Sequence, residues 1–122
     1  MITQQPEPLS PASFVERRKH KRYAMVVKYS LTIDDVDYKG LTGNISLGGA
    51  YLSTIHPLIT EESLFQEGEI ELDSPDSPIR LRCYLTYVGT EQNEYPTGVG
   101  VAFIEPDENL LVALAAILGE DL

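Results

Sequence analysis

Between Ile79 and Tyr87 the chain alternates without a break. Ile79, Leu81, Cys83, Leu85 and Tyr87 are apolar or aromatic, and Arg80, Arg82, Tyr84 and Thr86 stand between them. Successive side chains of a strand point to opposite faces, so this pattern specifies a strand with one face in a core and one in water. Half-wet strands belong to antiparallel sheets, because parallel sheets are covered on both sides. The same period recurs at Met25, Val27, Tyr29, Leu31 and Ile33. Asp34-Asp35 then marks a turn, and Val36 to about Ser46 reads as the returning strand of a hairpin.

The remaining segments extend this pattern. Leu47-Gly48-Gly49 signals a turn before a short strand, Ala50 to Thr54. His56 to Gly68 is mixed in polarity and predicts a long loop with room for one helical turn. Glu69 to Asp73 predicts a strand, the segment 74–78 a tight turn, Gly89 to Pro96 a polar loop, and Thr97 to Ile104 a last strand. Pro106-Asp107 opens a helix over about 107–118, with Asp107 as N-cap and Gly119 as its stop. Leu110, Leu111, Leu114, Ile117 and Leu118 form its apolar face, which serves the core or, where left uncovered, a partner. The expected fold is all-β: a six-stranded antiparallel β-barrel followed by a C-terminal α-helix.

Size and composition set limits on function. With 122 residues and 43% hydrophobic content, one domain with a real core is expected over residues 14–122, behind a mobile tail at 1–13 that carries Pro6, Pro8 and Pro11. The longest apolar run is too short to span a bilayer, so no membrane insertion is expected. One cysteine, Cys83, forms no internal disulfide and no zinc site, and it reads as a small buried hydrophobe. No secretory signal opens the chain, which predicts a cytoplasmic protein. Ser46 is not in a Gly-x-Ser-x-Gly elbow, two histidines leave little for a triad, and no Walker loop is present. No catalytic residue, metal or cofactor is therefore assigned, and the chain does not read as an enzyme.

Charge is divided sharply. The net charge is -10, yet residues 17–28 hold six basic groups and no acid, while residues 29–122 hold 17 acids and three bases. An acidic body argues against a nucleic-acid partner, and the basic run 16–22 implies one small anion site. In that run Arg18 and Arg22, with Arg17 beside them, supply forked, permanently charged guanidinium groups suited to phosphate or a guanine edge. A solvated arm would carry the same charges. The second feature is Asn44-x-Ser46-x-x-Gly49. On its own it reads as a hairpin end; period two would also let Asn44 and Ser46 face outward together as a donor–acceptor pair.

Taken together, these segments resemble the PilZ domain family, bacterial receptors for the second messenger cyclic di-GMP. Arg18-Lys19-His20-Lys21-Arg22 is similar to the family's Arg-x-x-x-Arg arm. Asn44-Ile45-Ser46-Leu47-Gly48-Gly49 is similar to its Asp/Asn-x-Ser-x-x-Gly segment, and Gly98 to Phe103 to its glycine-rich final strand. The resemblance implies that Arg17, Arg18 and Arg22 grip phosphates and guanine edges, and that Asn44 and Ser46 bond a guanine. It also implies that Gly48 and Gly49 form the loop, with Gly49 allowing close backbone approach. Tyr87 either packs on the core rim or stacks on a base. The implied role is signal transduction: the arm orders on cyclic di-GMP and an unidentified downstream protein reads the change, motility or exopolysaccharide machinery being the candidates. Two rivals are an adaptor of the same fold that binds no nucleotide and a small nucleic-acid-binding barrel.

Overall fold

The computed structural model describes residues 20–89 and 98–120. Seven strands precede one helix: β1 (Tyr23–Ala24), β2 (Lys28–Ile33), β3 (Val36–Ile45), β4 (Gly49–Leu52), β5 (Glu67–Leu72), β6 (Ile79–Gly89), β7 (Gly98–Phe103) and α1 (Glu108–Leu118). A 3-10 turn at Glu61–Ser63 lies in the long loop. All pairings are antiparallel. Strands run in the order β3-β2-β5-β6-β7-β4, and β4 pairs back onto β3, which closes a six-stranded barrel; β1 adds to β3. The expected tail 1–13, the arginines Arg17 and Arg18, and the polar loop 90–96 lie outside the described residues.

Local chemistry accounts for the elements. Asp34 and Asp35 both take positive φ, 51° and 63°, as a two-residue turn matched to strand twist requires. Aspartate tolerates this region better than most side chains do. Helix α1 starts where Asp107 Oδ1 accepts the Leu110 N–H at 2.9 Å, and it ends at Gly119 in the left-handed conformation, φ 70°. The alternating residues Leu31, Ile70, Leu72, Leu81, Cys83 and Leu85 are buried inside the barrel, and Leu114, Ala115 and Leu118 of α1 close the core. Outside, Arg80 pairs with Glu71 across β5–β6 at 2.8 Å and Arg82 pairs with Glu67. Among the described residues, no helix is long and apolar enough to cross a membrane.

The strand expected from Met25 to Ile33 is broken in two. Tyr23 and Ala24 face Ile45 and Asn44, whereas Lys28 faces Leu41, so the first strand carries one extra residue between them. The buried Thr42 hydroxyl fills the gap. It accepts the Val27 N–H at 2.9 Å and donates to the Met25 carbonyl at 2.7 Å, standing in for ladder bonds.

Candidate functional site

Two further register shifts occur where β3 meets β4, between Thr42 and Asn44, and where β6 meets β7, between Leu85 and Tyr87. Each inserts one residue, Gly43 or Thr86, and so reverses which side chains face the core. Leu85 is buried; after Thr86 it is Val88 that is buried, and Tyr87 turns outward to become half-buried. Thr42 and Ile45 are buried, and Asn44 is likewise re-aimed outward. The two shifts bring distant residues into line: Asn44 faces Tyr51, Tyr51 faces Gly100, and Gly100 faces Tyr87. Those four positions form one cross-strand row on the outer face of the barrel. Gly100 leaves a low point between two rings whose centroids are 6.4 Å apart and inclined at 44°.

This row floors a cleft of about 870 Å³. Arg22, Asn44, Ser46, Gly48, Gly49 and Tyr87 all line it, together with His20, Tyr51 and Thr86. Tyr23, which directly follows Arg22, pairs with Ile45 at the end of β3. His20 lies against Gly48: a Cβ at Gly48 would come within 2.9 Å of its ring. Among the described residues, no acid lines the cleft, in a chain whose net charge is -10. Beside the cleft the Lys21 ammonium stands 5.2 Å from the ring centre of Tyr23. Partial burial, and next the Glu120 carboxylate hydrogen-bonded to it, raise the Tyr23 phenol pKa.

Two expectations need correction. Ser46 does not face outward beside Asn44, because β3 ends at Ile45 and Ser46 is buried at 8% exposure. Its hydroxyl accepts the N–H groups of Gly48 and Gly49, at 3.1 and 3.2 Å, while its own N–H donates to the Gly49 carbonyl. A chain turning between strands leaves these amides without ladder partners, and the serine oxygen supplies one. Close approach at Gly49 is made by the protein itself: a Cβ there would stand 2.2 Å from the Val101 carbonyl oxygen. Cys83 is fully buried, and burial pushes its thiol up to about 12, so it stays protonated at neutral pH.

Sequence reasoning missed Tyr51. The sequence Ala50-Tyr51-Leu52 sets the tyrosine outward between two buried residues, and that short alternation was the available signal.

No curated protein matches this chain. Among solved structures, the PilZ domain of CeSA from a cellulose-synthesizing bacterium aligns with a TM-score of 0.63 and 13% identity, covering 81% of this chain and 96% of that one. The Bacillus subtilis inhibitor of motility, MotI/DgrA, aligns with a TM-score of 0.64 and 14% identity over 83% of this chain. This chain spans 48% of that protein's length. At such identity these likenesses establish the fold. The PilZ domain family model matches residues 16–120, nearly the full span of the arm, barrel and helix, and the chain therefore belongs to the PilZ domain family.

Proposed function

We propose that this chain is a cyclic di-GMP receptor that binds its ligand in the cleft between the arginine arm and the outer row of the barrel. The observation that carries this reading is that Arg22, Asn44, Tyr51 and Tyr87 line one cleft in which, among the described residues, no carboxylate takes part, although residues 29–122 hold 17 acids. A doubly charged dinucleotide is repelled by the rest of the surface and meets guanidinium here. Arg22, with Arg18 and Arg17 of the same arm, supplies charge-assisted bonds to phosphate and guanine edges. Asn44 offers an amide able both to accept from guanine N–H groups and to donate. Tyr51 and Tyr87 offer ring faces on either side of Gly100 for a base. Ser46 and Gly48 act one step back, holding the turn that shapes the cleft wall.

Binding then orders the arm, and a second protein reads the altered surface. The two structural relatives, one from a cellulose-synthesizing bacterium and one an inhibitor of motility, support exopolysaccharide synthesis and motility as the classes of process controlled. Calorimetric titration of Arg18→Ala and Arg22→Ala tests the reading. Each variant loses roughly 2–4 kcal/mol of cyclic di-GMP binding, since charge-assisted bonds to a desolvated ligand are removed. Thermal unfolding of the unliganded Arg22→Ala variant stays within about 1 kcal/mol of the parent, because Arg22 is exposed and surface interactions contribute little. A variant that binds cyclic di-GMP like the parent contradicts the site.

A further inference from the structure

From Leu110 to its end, helix α1 is apolar in a way the barrel alone does not explain. Nine residues in succession, Leu110 to Leu118, carry no charged or polar side chain. A helix on the surface of a domain ordinarily shows a polar outer face, and an apolar one all round is normally covered. Here Leu114, Ala115 and Leu118 are buried in the core, whereas Val112 is 53% exposed and Ala116 is exposed. Beside the helix runs a groove of about 690 Å³. Ala113, Ala116 and Ile117 form one wall, Met25 and Val27 line it as well, Ile79 contributes to the floor, and the turn at 73–78 forms the rim.

Its charge is as one-sided as that of the dinucleotide cleft, with the opposite sign. Among the described residues, Asp73 and Asp76 line the groove and no basic side chain does. Lys28 and Arg80 each directly follow a lining residue along the chain; Lys28 lines an adjoining cleft with Lys39, Glu71 and Asp73, the last bordering both. Arg80 and Arg82, beyond the rim, are paired with Glu71 and Glu67. An anionic membrane would be repelled by this rim, as would the body of a second copy, with 17 acids and three bases over residues 29–122; docking of a second copy's basic arm is the outcome that self-association reports. The surface complements an apolar segment flanked by positive charge.

We infer that the groove between helix α1, the segment 25–27 and the turn at 73–78 is the docking site for a partner protein's amphipathic segment, apolar on one face and bearing lysine or arginine on its flank. The inference rests on the reading that this chain signals through a partner, and it identifies the surface that does so. The groove is well sited for that task. Met25 lines it three residues after Arg22 lines the dinucleotide cleft, so one stretch of chain borders both.

The test is an NMR titration of the isotope-labelled full chain, without and with saturating cyclic di-GMP. The probe is a synthetic Leu/Ala–Lys amphipathic peptide of about 18 residues, roughly five helical turns. Its Leu/Ala–Glu counterpart and anionic lipid vesicles are the other arms. The lysine peptide is expected to shift the amides of Met25, Val27, Ala113 and Ile117. Its affinity should fall at least tenfold in both Ala116→Arg and Asp76→Lys, with the glutamate peptide and the vesicles leaving those amides unmoved. Arginine is a good helix former, and the replaced alanine is exposed, so both variants should melt with the parent. Shifts that spare the groove, equal binding of the glutamate peptide or vesicles, or undiminished binding by Ala116→Arg would overturn the inference. Self-association abolished by Ala116→Arg would also overturn it, in favour of a second copy. Because the peptide is titrated with and without dinucleotide, a chain that binds peptide but no cyclic di-GMP refutes the receptor reading alone. The reverse result refutes the groove alone.

Discussion

Gly49 has two candidate duties, admitting a ligand and admitting the neighbouring strand, and distance decides between them. The Val101 carbonyl oxygen would stand 2.2 Å from a Cβ at this position, and the contact is with backbone, which cannot swing aside. Gly49→Ala is therefore expected to lose about 1–3 kcal/mol of stability as β4 is forced off β7. Urea denaturation without ligand measures this, and unchanged stability would return Gly49 to the role of ligand contact. Ser46 belongs in the same class, since its hydroxyl serves the amides of Gly48 and Gly49. The Asn44-x-Ser46-x-x-Gly49 pattern was thus legible as a motif, but the division of duties within it was not. That division depends on where β3 stops: Ser46 lies one residue past its end, lining the cleft while its hydroxyl is taken up by the turn.

At the scale of the element, the bulges give the site its shape. The alternation from Ile79 to Leu85, the Asp34-Asp35 turn and both ends of helix α1 were legible because each rests on interactions within a few residues. The bulges at Thr86 and Gly43 were not. A bulge exists only relative to a partner strand that lacks the extra residue, and a single sequence does not display that comparison. For that reason Tyr87 read as the last of an inward series when it faces the cleft. The third irregularity, at 25–27, depends on Thr42. Thr42→Val keeps the shape but leaves the Val27 N–H and the Met25 carbonyl without their side-chain partner in a buried place. It should cost about 1–3 kcal/mol, with faster hydrogen exchange at Met25 and Val27. A variant as stable as the parent, with unchanged exchange, would show that the hydroxyl does not hold this segment.

Across the whole molecule, closure of the barrel leaves each of the six strands paired on both sides, so function falls to surfaces instead of edges. Among the described residues the charges divide those surfaces: acids cover the body, none lines the cleft beside Arg22, and no base lines the groove beside α1. The sign and position of the basic run were visible in the sequence, as was the family fold. The convergence of Arg22, Asn44, Tyr51 and Tyr87 on one cleft was visible only after three strand irregularities had set their directions. The most direct test of the account is to follow the amide spectrum of the full chain during titration with cyclic di-GMP, with GTP and cyclic di-AMP as controls. The account predicts that Arg22, Asn44, Gly48, Tyr51, Gly100 and Tyr87 shift together at one affinity, with neither control reproducing the pattern. Shifts absent from that row, or the same response to GTP or cyclic di-AMP, would contradict it.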